Sequence, residues 1–124
     1  MSGWTRDELA RIGRADELRI ASRRADGGLR PFITIWTARE GDDLYVRSAH
    51  GYDNPWFQRA LHSGEGRIRA GGVERDVAFE VPEPDVTARV TAAYHAKYDS
   101  YGPAIVGTVV SAEAERATLR LEPS

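Results

Sequence analysis

The chain contains no cysteine, and this absence excludes disulfides, thiolate metal sites and cysteine nucleophiles. Lysine is almost absent as well, because Lys97 is the only one and arginine supplies the remaining positive charge. No apolar run approaches the roughly 20 residues that a membrane-spanning helix requires, and the N-terminus is polar. We therefore expect a soluble cytoplasmic protein with neither a membrane span nor a signal peptide.

The charge balance lacks the excess of one sign that would attract a polyanion. The net charge is −2 over 124 residues, whereas a nucleic-acid-binding domain usually carries a strongly basic surface. A chain of this length forms one domain and can bury about two-thirds of its unfolded surface on folding. We therefore expect a single domain over residues 1–124 with no nucleic-acid or membrane partner.

Several catalytic and ligand-binding motifs are also missing. The pair Gly71-Gly72 lies between two predicted strands, whereas a phosphate-binding glycine loop leads into a helix. Ser48 and His50 have no nucleophile-elbow motif around them, so no Ser–His–Asp triad is recognisable. We identify no partner of His95 at the spacing of metal ligands, and we expect no metal.

The most informative stretch runs from Arg30 to Ser48. Residues 31–39 (PFITIWTAR) are mostly β-branched or aromatic, which favours a strand, and apolar residues occupy both faces of that strand. A short turn at residues 40–43 (EGDD) leads into a second apolar run (LYVRS). This pattern predicts an antiparallel hairpin, the central hairpin of the fold.

Capping residues and alternation patterns predict the other elements. Thr5 and Glu8 form a capping box for a first helix, and Asn54 or Asp53 begins a second helix that ends at Gly64. We predict further strands at residues 17–24, 66–70, 73–81, 104–110 and 118–122, a long helix at about 85–98 and a single helical turn at 112–116. This order predicts an α+β, mainly β fold: a barrel or sandwich of about six to seven antiparallel strands with three flanking helices.

The central hairpin also carries candidate ligand-binding residues. Arg30 and Arg47 lie near strand ends, beside the hydroxyl-bearing residues Thr34 and Ser48. Guanidinium and hydroxyl donors that converge at one end of a hairpin can hold a phosphate, because charge-assisted bidentate hydrogen bonds are strong and directional. The alternative is that both arginines lie on the surface of the sheet and bind nothing specific.

Aromatic and ionisable side chains supply further candidates, each with a simpler alternative. Trp36 and Trp56 could form a flat wall for a planar ring, although tryptophans at such positions more often belong to a core or a dimer interface. His50 lies in a loop and could act as a general acid or base. An exposed loop histidine without a role is more common.

The long helix presents a stripe of side chains at helical spacing, namely Tyr94, Lys97, Tyr98 and Tyr101. A lysine between tyrosines can bind an anion, and Tyr98 could take part in proton transfer. The simpler interpretation is a helix that packs its rings on the barrel while Lys97 extends to water.

Short segments along nearly the whole chain resemble an uncharacterised bacterial family, domain of unknown function 2255. The segments are TRDEL at 5–9, RP and TIW within 30–36, YVRS at 45–48, WF at 56–57, RAGG at 69–72, and Tyr94 with KY at 97–98. More distantly, the order of elements is similar to that of the split β-barrel proteins that bind flavin mononucleotide (FMN) or the deazaflavin coenzyme F420, including nitroreductases. Those proteins are commonly homodimers with the cofactor in the cleft between subunits.

This resemblance implies a split β-barrel homodimer that acts as a flavin- or deazaflavin-dependent oxidoreductase. The cofactor-binding residues would be Arg30, Thr34, Trp36, Arg47, Ser48, Trp56 and Lys97, with the arginines at the phosphate and a tryptophan beside the ring. The candidate catalytic residues, chosen from the sequence itself and not from the resemblance, are His50 and Tyr98 as acid or base.

The chain departs from the deazaflavin-dependent nitroreductases in one turn. Those proteins have a Gly-Arg-Lys-Ser-Gly-type turn that helps to hold the phosphate. The matching turn here, residues 25–30, lacks the Lys-Ser pair and offers only Arg23, Arg24 and Arg30. Two alternatives therefore stay open: a cofactor-free enzyme of small-molecule metabolism that uses His50 or Tyr98 as acid or base, and a non-catalytic module that binds a small anion.

Overall fold

The computed structural model describes residues 3–124, in which seven strands form a nearly closed barrel with helices on its outside. The strands are β1 (Leu18–Ser22), β2 (Ile33–Ile35), β3 (Thr37–Glu40), β4 (Asp43–Arg47), β5 (Glu65–Ala70), β6 (Val73–Glu80) and β7 (Thr118–Pro123). The helices are α1 (Arg6–Arg14), α2 (Pro55–Ser63), α3 (Thr87–Tyr98), α4 (Pro103–Val110) and α5 (Ala112–Arg116). Short 3₁₀ turns at Pro84–Val86 and Asp99–Tyr101 flank α3. The predicted mainly β, α+β barrel is confirmed.

The central hairpin differs from its prediction, because its first strand is divided into two. The strands follow the order β2-β1-β5-β6-β7-β4-β3, so the outermost strands β2 and β3 are neighbours in sequence, separated only by Trp36. The β2 strand pairs with β1, where Ile35 lies opposite Leu18. The β3 strand pairs with β4, where Thr37 lies opposite Val46. The chain therefore changes pairing partner at Trp36 and brings the two edges of the sheet together.

Helix capping follows the sequence closely. The Thr5 side chain accepts a hydrogen bond from the Glu8 backbone N–H, the Glu8 carboxylate accepts one from the Thr5 N–H, and α1 begins there. The Asn54 side chain caps α2, which ends at Gly64 in the left-handed conformation with φ 74°. These ends are determined by local side chain to backbone hydrogen bonds, so they could be predicted from short motifs.

One predicted strand was wrong: residues 104–110 belong to the helix α4. Five of its eight residues, PAIVGTVV, are β-branched, and β-branched residues favour strands. The helix therefore adds a fourth long helix to the three that the sequence predicted. Its side chains Val106 and Val109 are buried against α3 and its neighbours.

Two apolar clusters stabilise the fold. The first fills the barrel with strand residues such as Leu44, Ile68 and Leu121, and Phe57 of α2 packs against them. The second lies outside the barrel, where Tyr45 of β4 contacts Tyr94 and Tyr98 of α3 together with valines of α3 and α4. The helices α3 and α4 thus cover the outer face of the β3–β4 hairpin. No helix within residues 3–124 is long and apolar enough to cross a bilayer.

Candidate functional site

An aromatic pocket of about 310 Å³ opens where β2, the loop after β4 and α4 meet. Its walls are mostly apolar, with two tryptophans and three isoleucines, and a few polar groups from Thr34, His50, Asn54 and Thr108 face it. Its remaining lining residues are Ile33, Ile35, Trp36, Arg47, Ala49, Trp56, Ile105 and Val109. Apolar walls with a small number of polar groups are typical of small-molecule sites.

A basic pocket of about 900 Å³ lies between the turn after β1 and the outer face of α2. Four arginines and one histidine line it, namely Arg23, Arg24, Arg30, Arg59 and His62. Glu65 is the acidic residue among its lining residues. Some of the N–H donors of Arg23 are already used, because its guanidinium donates to the Gly27 carbonyl and to Asp76. The pocket carries a strong local excess of positive charge in a chain whose net charge is −2.

A third pocket of about 320 Å³, which we call the connecting pocket, shares lining residues with both of these pockets. It shares Ile33 and Trp56 with the aromatic pocket. It shares Arg30 and Arg59 with the basic pocket. The three pockets therefore adjoin one another along the barrel, and we call them together the groove. One end of the groove is aromatic and the other end is cationic.

The structure brings five of the nine residues predicted from sequence into the aromatic pocket: Thr34, Trp36, Arg47, His50 and Trp56. Arg30 lies in the two adjoining pockets. Ser48, Lys97 and Tyr98 are not among the lining residues of the groove. Arg30 and Arg47, which the sequence placed together on one phosphate, line no pocket in common.

Arg47 is only 2% exposed, and its guanidinium already has several protein partners. The partners are Thr118 Oγ1 at 3.0 Å, Thr91 Oγ1 at 2.8 Å, the Val109 carbonyl at 3.0 Å and the Thr87 carbonyl at 3.1 Å. Burial lowers the pKa of Arg47 below its usual range. These bonds occupy most of the N–H donors of the guanidinium group. Few donors are left for a phosphate, so the hydrogen bonds that Arg47 already makes disfavour its predicted contact with one.

Lys97 and Tyr98 lie beside Trp36, outside the groove. The Tyr98 ring stacks on the Trp36 indole with centroids 3.9 Å apart. The Lys97 ammonium donates to the Thr37 carbonyl at 2.8 Å and lies over the Tyr98 ring. Burial raises the pKa of Tyr98 and lowers the pKa of Lys97 to about 8. The Tyr98 ring therefore supports the Trp36 indole from the side of α3.

Ser48 is buried, and its hydroxyl has no hydrogen-bond partner in the part of the chain that the structure describes. Its backbone N–H donates to the Ala117 carbonyl, which extends the pairing of β4 with the last strand. The predicted role of Ser48 at a phosphate stays a prediction. His95, for which the sequence analysis found no carboxylate partner, does contact Asp99 at 2.8 Å, one helical turn away.

Sequence reasoning missed Arg59, Ile105 and Thr108 as lining residues. Arg59 follows Trp56 by three positions on α2, so both lie on one face of the helix, and this spacing could have revealed it. Ile105 and Thr108 belong to α4, which was predicted as a strand. Among residues 3–124, no group of three or more His, Cys, Asp or Glu is arranged to hold a metal ion.

Comparison with protein families gives one match. A family described as an uncharacterized protein conserved in bacteria (DUF2255) matches residues 8–121. No curated protein matches the chain.

Solved structures show the same fold at low sequence identity. A conserved hypothetical protein from Mycobacterium tuberculosis has a TM-score of 0.62 and 12% identity, with 99% of this chain and 81% of that chain covered. An F420 reductase has a TM-score of 0.55 and 16% identity, with 94% of this chain and 92% of that chain covered. A protein from Bacteroides thetaiotaomicron, described as a candidate 5-nitroimidazole antibiotic resistance protein, has a TM-score of 0.53 and 10% identity, with 100% of this chain and 82% of that chain covered.

Proposed function

The chain belongs to this DUF2255 family of uncharacterized bacterial proteins, and we propose that its groove binds FMN or coenzyme F420 and that the protein is a flavin- or deazaflavin-dependent oxidoreductase. The observation that carries this proposal is the polarity of the groove. An aromatic pocket with Trp36 and Trp56 adjoins a pocket lined by four arginines. This arrangement matches a ligand with a planar ring at one end and a phosphate at the other.

The residues present fit both halves of such a cofactor. Arg30 and Arg59 line the basic pocket and the connecting pocket, and guanidinium groups bind phosphates through directional, charge-assisted hydrogen bonds. Trp56 lies where the aromatic and connecting pockets meet and offers a flat apolar surface to a ring. A bound flavin or deazaflavin would supply the hydride transfer, while the protein supplies binding and orientation.

The roles of the remaining lining residues follow from their positions. The Thr34 hydroxyl and His50 supply polar groups at the aromatic pocket, where they can hydrogen-bond a ring or a substrate beside it. Tyr98 stacks on Trp36 and holds that indole at the pocket wall. The similarity of fold to an F420 reductase is consistent with this proposal.

The proposal is tested by titrating FMN and riboflavin, which differ by the phosphate, and following flavin fluorescence. We expect the wild-type protein to bind FMN more tightly than riboflavin. Arg30→Gln and Arg59→Gln should each weaken FMN binding by about tenfold, the effect of losing a charge-assisted hydrogen bond, and leave riboflavin binding unchanged. F420 is titrated in the same way.

The matched control is Arg89→Gln. Arg89 is an exposed arginine on α3 that pairs with Glu40 and lines no pocket of the groove. This variant should bind FMN as the wild type does. Absence of binding by both FMN and F420 would remove the redox proposal, and equal effects of all three substitutions would remove the phosphate site.

The position of His50 supports a second candidate function, a cofactor-free enzyme that uses the same groove. His50 is an exposed imidazole at the wall of the aromatic pocket, where it can act as a general acid or base. In that case the pH–rate profile has an inflection that His50→Ala abolishes. A protein whose melting temperature rises with ligand but which shows no turnover would instead be the non-catalytic binding module.

A further inference from the structure

The helix α4 is intrinsically a weak helix. Five of its eight residues are β-branched, and Gly107 lies in its interior. Gly costs an exposed helix about 1 kcal/mol relative to Ala, and β-branched residues also lower helix propensity. The helical state of α4 therefore depends on its tertiary contacts, which is also why the sequence predicts a strand there.

Two side chains of α4 are buried. Val106 and Val109 are its buried side chains, and they pack into the cluster outside the barrel, against α3. At its N-terminus, Gly102 has a φ of 101°, which breaks the chain direction before Pro103. At its C-terminus, Ser111 is extended and caps α5. A segment with few buried contacts, bounded on both sides by non-helical residues, is expected to open at a low free energy.

Arg47 of β4 connects α4 to the rest of the fold. Its Nη1 atom donates to the carbonyl of Val109, near the C-terminus of α4, and to Thr91 Oγ1 of α3. A cation at this end of a helix satisfies a terminal carbonyl and interacts favourably with the helix dipole. Thr91 in turn donates to Glu115, which provides a nearby negative charge.

The same helix covers the aromatic pocket. Ile105, Thr108 and Val109 line that pocket, and Ile105 is 50% exposed at its edge. Displacement of α4 would therefore remove one wall of the pocket. The walls contributed by β2 and α2 would stay, because β2 is a barrel strand and α2 packs Phe57 into the barrel core.

We propose that α4 is a cap of the aromatic pocket that opens by local unfolding while the barrel stays folded, and that Arg47 is the residue that holds it closed. Arg47 is then a positioning residue that controls access to the pocket. The functional meaning of the cap rests on the proposed ligand site, but the motion itself is measured without a ligand.

Thiol labelling measures the motion, because the chain has no cysteine of its own. The two probes are Val106→Cys on α4 and Val77→Cys on β6, both at buried valines that line no pocket of the groove. We expect an aromatic disulfide reagent to label the thiol at position 106 at least a hundredfold faster than the thiol at position 77 under native conditions. Equal labelling rates would show that α4 opens only with the whole domain and would overturn the proposal.

Two further sets of substitutions test how the cap opens, and the first is Gly107→Ala. A Cβ atom at Gly107 would meet no atom within 4 Å, so this change adds helix propensity without a clash. It should slow labelling at position 106 about fivefold, the factor that corresponds to about 1 kcal/mol, and leave position 77 unchanged. An unchanged rate at position 106 would contradict opening by local unfolding.

Arg47→Lys tests whether Arg47 holds the cap closed, and Thr91→Val is a milder second variant that removes one acceptor of Arg47. Both should accelerate labelling at position 106, by tenfold or more for Arg47→Lys, and leave position 77 unchanged. Equal acceleration at both positions would mean that Arg47 supports the whole fold and not the cap. If Arg47→Lys does not fold, Thr91→Val decides the question alone.

Saturating FMN separates the cap from the ligand site. If FMN binds in the groove, it should slow labelling at position 106 at least fivefold. If FMN does not bind, the proposed function fails, while the rates without FMN still decide whether α4 opens. FMN that binds without any change at position 106 would overturn the role of the cap in access to the pocket.

Discussion

At the scale of single residues, burial decides which ionisable groups are available to a ligand. The sequence shows Arg47 only as an arginine near a strand end. In the structure, its guanidinium donates hydrogen bonds to groups of α3, α4 and β7. Arg30 and Arg59 line the groove without a hydrogen bond or ion pair from their side chains to the rest of residues 3–124. Arg30 therefore stays a candidate for binding an anion, and Arg59 of α2 replaces Arg47 as the second candidate.

Lys97 provides a prediction at this scale. Burial lowers its pKa from 10.5 to about 8, and Lys97 is the only lysine, so its side-chain NMR signal is assigned without ambiguity. We expect the ¹³Cε resonance to titrate with a midpoint near pH 8. A midpoint above 10 would show that the ammonium group is solvated in the native state.

The same shift has a consequence for stability. Between about pH 8 and 10.5 the unfolded chain binds the Lys97 proton and the folded chain does not, so the contribution of this group to stability rises with pH across that window. Urea titrations should show this rise in the wild type relative to Lys97→Met. Parallel pH profiles of the two proteins would contradict it.

At the scale of elements, helix capping allows a sharp test. Thr5→Ala removes the side-chain acceptor of the Glu8 N–H and should lower the free energy of unfolding by about 1 kcal/mol, whereas Thr5→Ser keeps the acceptor and should lower it far less. Urea denaturation measures both. Equal losses in the two variants would mean that packing of the Thr5 methyl group, and not the hydrogen bond, stabilises α1.

The β1–β5 pairing leaves no room for a side chain at Gly66. A Cβ atom there would overlap the carbonyl oxygen of Ala21 and contact the ring of Phe79. Gly66→Ala should therefore destabilise the barrel by about 2–3 kcal/mol, while Gly107→Ala should not lower stability at all. A chemical denaturation midpoint for Gly66→Ala equal to that of the wild type would contradict this close contact.

The elements also show what could be predicted from the sequence. The first turns of α1 and α2 are specified by the capping residues Thr5 and Asn54, and both were predicted correctly. The α4 helix was missed because its β-branched residues favour a strand and only its contacts with α3 and Arg47 make it helical. The division of the central strand at Trp36 was missed because both halves have strand-forming residues, and only barrel closure assigns them different partners.

At the scale of the whole molecule, the candidate site was predicted in part for the same reason. Thr34, Trp36 and Trp56 line one pocket, as a ligand interpretation of the sequence requires. The α4 residues Ile105 and Thr108 reach the groove only through the closure of the barrel and the packing of helices around it. Those arrangements depend on contacts between residues distant in sequence, which local patterns do not encode.

The assembly gives a further prediction at this scale. The resemblance to split-barrel proteins with a cofactor between two subunits leads us to propose a homodimer. Tyr101 is an exposed aromatic side chain beside Trp36, and a surface that meets a second copy exposes apolar side chains of this kind. Light scattering coupled to size exclusion should give about twice the 13.7 kDa of one chain. A mass of one chain at high protein concentration would contradict the dimer.

Flavin binding in the groove is tested most directly by a crystal structure of the protein with saturating FMN. We predict a flavin ring against Trp56 in the aromatic pocket and a phosphate within hydrogen-bond distance of Arg30 or Arg59. A flavin bound outside the groove, or a groove that stays without flavin at saturation, would contradict it.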